Sequence, residues 1–164
     1  MKKKIVIVVT FFLLCVLLTN CSKDELIKIN EETLMGVWYE EFSIEEENQI
    51  SRLEYFFNDA NKYEVLRKRI DITTGVVLGY RHRQLGVYKI ENDQLTFYNL
   101  ETYSNDDIQG SYADINSLKL ISQSENSYSV TIEFRDSEKT LIFIYPPCPP
   151  NANCIGQKTL KRGE

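Results

Sequence analysis

Two short basic triplets are the residues of this chain whose types and spacing point to binding chemistry. Arg67-Lys68-Arg69 and Arg81-His82-Arg83 stand in neighbouring segments of an acidic chain, whose formal net charge is −5 at pH 7. A guanidinium group forms charge-assisted hydrogen bonds with carboxylates and phosphates, and an imidazole donates and accepts hydrogen bonds near neutral pH. The triplets therefore indicate a site for a small anionic or polar ligand.

Strand periodicity decides which of these side chains would face a ligand. Successive residues of a strand point to opposite faces, so the apolar positions Tyr63 and Val65 predict that Arg67 and Arg69 also point inward. An inward arginine must find a partner or a ligand, because an unpaired buried charge is costly. Two interpretations stay open, namely a cavity for an anionic ligand and a structural ion pair with Glu40.

The second triplet would complete the same cavity from the neighbouring strand. A turn near Thr73-Thr74 predicts Tyr80 opposite Arg67 and His82 opposite Val65. Tyr80 and His82 would then supply hydrogen bonds to the ligand. The candidate ligand-binding residues are Arg67, Arg69, Tyr80 and His82.

Catalytic chemistry has little support in this sequence. His82 is the only histidine, and no Gly-rich elbow surrounds a serine, which disfavours Ser-His-Asp and Cys-His arrangements. A carboxylate pair of the glycosidase kind stays open. However, Glu45-Glu46-Glu47 and Asp106-Asp107 are charge runs in loop-like stretches, and such runs are usually solvated. We expect a protein that is not an enzyme, with no catalytic residue, no cofactor and no bound metal.

The four cysteines fall into separate roles. Cys15 lies within an N-terminal signal segment, and Cys21 follows its predicted cleavage point. Cys148 and Cys154 remain, and their five intervening residues do not fit the Cys-x-x-Cys redox spacing. Two sulfurs and one distant histidine also make a poor zinc site. Because thiols outside the cytoplasm tend to pair, we expect a disulfide between Cys148 and Cys154.

The N-terminus indicates where the protein works. Lys2-Lys3-Lys4 precede an apolar run, Ile5–Leu18, of 14 residues. A helix that spans a bilayer needs about 20. A basic start, a short apolar run and a small-residue cleavage site are typical of a secretory signal peptide. Since Cys21 comes directly after the cleavage point, the segment resembles a bacterial lipobox, in which the cysteine carries the lipid.

The predicted processing divides the chain. We expect a lipoprotein signal peptide over residues 1–20, a lipidated polar tether over 21–33 and one domain over 34–164. Ser22-Lys23-Asp24-Glu25 resembles the export tag that follows the lipid cysteine in surface lipoproteins of some Gram-negative bacteria. Position 22 also lacks the aspartate that holds lipoproteins in the inner membrane. The predicted location is the outer membrane, facing the cell surface, with the periplasmic face as the alternative.

Charge excludes one class of partner. Loss of the signal peptide's three lysines takes the formal charge from −5 to −8. Binding of phosphate backbones requires a dense basic surface, so we expect no nucleic-acid partner. The expected partners are the membrane, through the lipid on Cys21, and either a small-molecule ligand or a surface protein.

Alternating apolar residues predict an all-β domain of roughly nine or ten antiparallel strands. A turn at Asn92-Asp93, for example, pairs Ile90 with Leu95 and Tyr88 with Phe97. So many strands with one buried face need closure, and a small up-and-down β-barrel removes exposed edges. A β-sandwich is the alternative. Large side chains predicted to point inward favour a filled interior: Phe42, Tyr55, Phe57, Tyr63, Phe97, Phe134 and Phe143.

A family resemblance rests on the two ends of this domain. Gly36-Val37-Trp38 begins the first predicted strand, and Arg162 ends the last. Over about residues 34–162 the chain resembles the lipocalin and calycin pattern, most closely the short bacterial lipoproteins called lipocalin-like. The resemblance implies that Gly-x-Trp opens the barrel and that Arg162 packs across the ring of Trp38, where it gains cation–π energy. The other short motifs of vertebrate-type lipocalins are not recognisable, so their ligand chemistry is not carried over.

Two functions follow from the sequence. The first is a membrane-anchored extracytoplasmic binding lipoprotein that holds a small apolar or anionic ligand in a barrel. The alternative is a protein-interaction or inhibitor module of a cell-surface complex, with a filled and ligand-free barrel. The volume inside the barrel discriminates between them, because large inward side chains leave no room for a ligand.

Overall fold

The computed structural model describes residues 29–105, 112–150 and 154–163. The predicted signal peptide, Cys21 and most of the predicted tether lie outside this part of the chain. The first described element is a single helical turn, α1 (Glu31–Leu34). Asn30 and Thr33 cap it reciprocally, since the side chain of each accepts a hydrogen bond from the backbone N–H of the other. No helix in the described ranges is long and apolar enough to cross a membrane.

Nine strands in the described residues form one antiparallel sheet, and eight of them close into a barrel. The order around the barrel is β1, β2, β3, β4, β5, β7, β8 and β9, after which β9 pairs with β1. The remaining strand, β6, pairs only with the far half of β5. The predicted all-β barrel is therefore confirmed, and the sandwich alternative is wrong. The strands are β1 (Gly36–Ile44), β2 (Gln49–Phe57), β3 (Lys62–Asp71), β4 (Val77–Glu91), β5 (Gln94–Ser104), β6 (Lys119–Ser124), β7 (Tyr128–Arg135), β8 (Thr140–Ile144) and β9 (Gln157–Arg162).

The hairpin registers read from the alternation are correct near the tight turns. Ile90 pairs with Leu95 and Tyr88 pairs with Phe97 across the turn between β4 and β5. Asn92 in that turn has a φ of 59°, a left-handed conformation that asparagine adopts more readily than most residues. The turn chemistry and the apolar alternation thus specify the same register.

β4 is one continuous strand of fifteen residues. Gly86 lies within β4, and the register with β5 shifts at this point. A Cβ atom at Gly86 would lie 2.6 Å from the carbonyl oxygen of Tyr98 and 2.7 Å from Cε1 of Tyr63. Gly86 therefore marks the place where the β5 backbone and the Tyr63 ring come close to β4, and it does not mark a turn.

Aromatic rings fill the part of the barrel interior nearer the start of β1. The ring centroids of Tyr63 and Phe97 are 4.7 Å apart, and those of Tyr55 and Phe143 are 5.3 Å apart. All four side chains are buried. This confirms a filled interior over that part of the barrel. The prediction for Phe42 is wrong, because β1 extends past the core and leaves this side chain 57% exposed.

One end of the barrel, called the closed end here, is built around the fully buried Trp38. Its indole Nε1 donates to the Leu34 carbonyl at 2.8 Å, and the Arg162 guanidinium lies 5.0 Å from the ring centre. Arg162 also donates to the Met35 carbonyl at 3.1 Å. Gly36 begins β1 with a φ of 113°, a region that favours glycine. The stack of Arg162 on Trp38 that the resemblance implies is present.

The opposite end, called the open end, carries the loop between β8 and β9. Cys148 and Cys154 lie in this loop with their Cα atoms 6.1 Å apart and their sulfurs at bonding distance. The predicted pairing of these two cysteines is confirmed. The loops that follow β1 and β3 lie at the same end, since both strands run away from the closed end.

Candidate functional site

A cavity of about 390 Å³ lies at the open end, above the aromatic core. Its size is within the range of small-molecule sites, roughly 300–1,000 Å³. Five strands contribute to its wall, and six of its nine side chains are polar or charged. The lining residues are Leu53 from β2, Tyr55 from β2, Val65 and Arg67 from β3, Arg81, His82 and Gln84 from β4, Ser104 from β5 and Lys158 from β9.

A bulge in β4 determines which basic side chains reach the cavity. Arg67 pairs with His82, but the next residue of β3, Lys68, pairs with Tyr80, so Arg81 is an extra residue in the ladder. A bulged residue sits beside its neighbour instead of alternating with it. This is why two consecutive residues, Arg81 and His82, both line the cavity.

Arg67 lines the cavity without a partner in the described residues. Its guanidinium makes no hydrogen bond and no ion pair there, and its side chain is exposed at the mouth. The predicted ion pair with Glu40 is absent, because Glu40 pairs with Lys158 at 3.3 Å. For Arg67, the predicted partner Glu40 is therefore wrong, and no carboxylate of the described residues takes its place.

Arg81 adds a second guanidinium that no described carboxylate neutralises. Its backbone carbonyl accepts a hydrogen bond from the Ser104 hydroxyl at 3.2 Å. That bond ties the bulge to the end of β5, where Ser104 pairs with His82. The backbone of the bulge is therefore bonded to β5 beside the cavity.

His82 lines the cavity as predicted, but its cross-strand partner is Arg67 and not Val65. Burial lowers the pKa of the His82 imidazole, and the nearby Arg67 charge lowers it further. His82 is therefore neutral at pH 7 and offers one donor and one acceptor. Within the described lining, the positive charges without a carboxylate partner are those of Arg67 and Arg81.

The opposite wall of the cavity carries a paired charge. Lys158 donates to the Tyr55 hydroxyl at 3.1 Å and forms its ion pair with Glu40, with only 11% of the lysine side chain exposed. Burial and the Glu40 carboxylate raise the pKa of Tyr55, so its hydroxyl stays protonated. This wall therefore offers hydrogen-bonding groups with little net charge.

Arg69 does not line the cavity, which corrects the sequence prediction. Its Nη1 lies 2.7 Å from a Glu47 carboxylate oxygen and 3.1 Å from the Gln49 side-chain oxygen. The guanidinium also stacks on the Tyr112 ring at 4.5 Å. The ion-pair interpretation therefore holds for Arg69, with Glu47 as the partner in place of Glu40.

Tyr80 is also placed elsewhere. The sequence predicted it opposite Arg67, but the bulge shifts it opposite Lys68, which pairs with Glu54 at 2.8 Å. The backbone of Tyr80 bonds that of Ala113 at 2.7 and 2.9 Å. A one-residue bulge changes the face on which all preceding side chains lie, so Tyr80 does not reach the cavity.

Sequence reasoning missed four lining residues that have polar side chains. Gln84 continues the alternation of His82, and Lys158 continues that of Arg162, so both carried a usable signal. Arg81 lines the cavity only because of the bulge, and Ser104 lines it because β5 is long enough to extend to the open end. No local sequence pattern predicts either feature. The missed residues are Arg81, Gln84, Ser104 and Lys158.

Comparison with models of known protein families, with curated proteins and with solved structures finds no match to this chain. The likeness to lipocalin-like lipoproteins therefore stays a prediction.

Proposed function

We propose that the protein is a membrane-anchored extracytoplasmic binding protein that takes a small anionic ligand at the open end of its barrel. The observation that carries the proposal is the convergence on one cavity of two guanidinium groups, Arg67 and Arg81, that have no ion-pair partner among the described residues of this acidic protein. Guanidinium groups recognise carboxylates and phosphates by paired, charge-assisted hydrogen bonds. Neutral His82 adds a hydrogen bond beside them.

The filled core favours the mouth over the barrel centre as the ligand site. Phe57, Tyr88 and Phe97 pack within the barrel with centroid separations of 5.1 and 6.3 Å from Phe57. These side chains occupy the space in which an apolar ligand would lie. Of the two ligand classes predicted from the sequence, the anionic class fits the cavity better.

Replacing Arg67 with glutamine is expected to weaken anion binding by roughly tenfold or more, the value of one charge-assisted hydrogen bond. The probes are inorganic phosphate, benzoate and galacturonate, titrated by calorimetry into the domain at constant ionic strength. The midpoint of thermal unfolding should change little, because Arg67 is exposed and has no hydrogen bond or ion pair to lose among the described residues.

The matched control is Arg83→Gln, which removes one arginine charge from the position next to His82 in β4. Arg83 pairs with Glu64 at 2.6 Å and does not line the cavity. Its replacement should leave the affinity for the probes within about twofold of wild type. Equal loss of affinity in both variants, or no binding of any probe to wild type, would contradict the proposed site.

The anchor is the second part of the proposal, and it is supported by the signal pattern that ends at Cys21. Replacing Cys21 with serine is expected to release the protein from the membrane fraction, since the acyl chains contribute about 0.8 kcal/mol per buried CH₂. Fractionation of cells grown with labelled palmitate measures both retention and lipid. Cys15→Ser is the control and should remain lipidated. A serine variant at position 21 that stays membrane-bound without label would overturn the anchor.

One observation favours the protein-interaction alternative. Leu120 and Ile121 of β6 are 51% and 49% exposed, and the outer edge of β6 pairs with no strand in the described ranges. Val76 and Leu78, at the end of the β3–β4 hairpin, are also exposed. An unpaired edge with apolar side chains is a surface on which other chains add. If none of the anionic probes binds to the wild-type domain, protein interaction becomes the favoured function.

A further inference from the structure

The side chains around the two unpaired arginines narrow the class of anion. Leu53 and Val65 are the only aliphatic residues of the described lining. An apolar carboxylate such as a fatty acid would therefore place its hydrocarbon part against polar groups. Polar groups that lose water without gaining a partner are costly, so this lining disfavours such a ligand.

Several polar groups of the lining have hydrogen-bonding capacity that no described residue uses. The Gln84 amide makes no hydrogen bond with any described residue, although its residue is partly buried. Ser104 donates its hydroxyl proton to the Arg81 carbonyl, so its oxygen is left as an acceptor. On the other wall, Lys158 donates one hydrogen bond to the Tyr55 hydroxyl and forms an ion pair with Glu40, and an ammonium group has three protons to donate.

We propose that the ligand is a hydroxylated carboxylate of the sugar-acid class. This inference rests on the proposed anion site. The carboxylate would bind Arg67 and Arg81, and the hydroxyl groups would bind Gln84, Ser104 and Lys158 across the cavity. The C–H face of the sugar ring would lie on Leu53, Val65 and the Tyr55 ring at the floor. This arrangement satisfies the unpaired charges and the open hydrogen bonds together.

Two kinds of molecule present the same chemical groups to the mouth of the cavity. Arg67 and Arg81 are both exposed, so a free sugar acid and the terminal residue of an acidic polysaccharide meet the same groups. Both sources present one carboxylate and several hydroxyls.

Calorimetry with three matched probes tests the inference. Galacturonate carries the carboxylate and the hydroxyls, hexanoate carries only the carboxylate, and galactose carries only the hydroxyls. We expect galacturonate to bind about tenfold or more tightly than either of the others, because a site built to hydrogen-bond hydroxyls rejects an analogue that lacks them. Trigalacturonate that binds more tightly than galacturonate assigns the site to a polysaccharide end, and equal or weaker binding assigns it to the free acid.

Two variants separate the hydroxyl contacts from the charge. Gln84→Leu should lower the affinity for galacturonate by about tenfold and leave that for hexanoate unchanged, while Gln123→Leu on exposed β6 should change neither. Hexanoate that binds as tightly as galacturonate overturns the sugar-acid inference and leaves the anion site standing. Galactose that binds as tightly as galacturonate overturns both. No binding of galacturonate, hexanoate or phosphate overturns the proposed function itself.

Discussion

Replacing Trp38 with alanine is expected to lower the free energy of unfolding by about 3–5 kcal/mol, the usual cost of removing a buried tryptophan side chain. The side chain is fully buried at the closed end and lies 5.5 Å from the Phe134 ring. Its removal would also leave the Leu34 carbonyl without its donor and would uncover the Arg162 guanidinium. Urea unfolding followed by circular dichroism measures the change.

Trp38→Phe is the matched variant, because it keeps an aromatic face under Arg162 and removes the indole N–H. Its expected cost is about 1–3 kcal/mol, for an unsatisfied buried carbonyl at Leu34 and the smaller ring. A loss below about 1 kcal/mol for the alanine variant would show that the closed end does not depend on this stack.

The second large effect is expected at Gly86. Gly86→Ala should destabilise the barrel by about 2–3 kcal/mol, because the added methyl group would overlap the Tyr98 carbonyl at 2.6 Å and the Tyr63 ring at 2.7 Å. The carbonyl belongs to the paired strand β5, and the Tyr63 ring is packed against Phe97. Neither group can move without disturbing the barrel or its core.

Gly156→Ala provides the control for this prediction. A Cβ atom at Gly156 would meet no atom within 4 Å, so its free energy of unfolding should stay within about 0.5 kcal/mol of wild type. Thermal and urea unfolding of both variants give the comparison. Equal stability of the two alanine variants would mean that the backbone around Gly86 can accommodate a Cβ atom, against the 2.6 Å distance from that Cβ position to the Tyr98 carbonyl oxygen.

Much of the fold could be predicted because period-two alternation is a local signal. The pairs on either side of short turns, such as Ile90 with Leu95 and Phe57 with Tyr63, follow from it directly. The prediction failed where one extra residue entered a strand. Arg81 interrupts the alternation of β4, and nothing in the types of its neighbours distinguishes a bulge from a regular strand position.

The candidate site was only partly predictable for the same reason. Arg67 and His82 were found because they continue the alternation of residues that are buried nearer the core. The partner of Arg69 was not found, since Glu47 and Tyr112 come from segments outside the β3–β4 hairpin. Contacts between distant segments depend on the closed barrel, and they have no periodic signal in the sequence.

The placement of α1 at the closed end puts the start of the described chain at the opposite end of the barrel from the cavity. The described chain begins at Ile29, beside the helical turn whose Leu34 carbonyl binds Trp38, while Arg67 and Arg81 stand at the other end of the strands. Under the proposed anchor, the lipid on Cys21 would therefore be joined to the closed end of the barrel and not to the end that carries the cavity. Membrane attachment and ligand binding would then use opposite ends of the same domain.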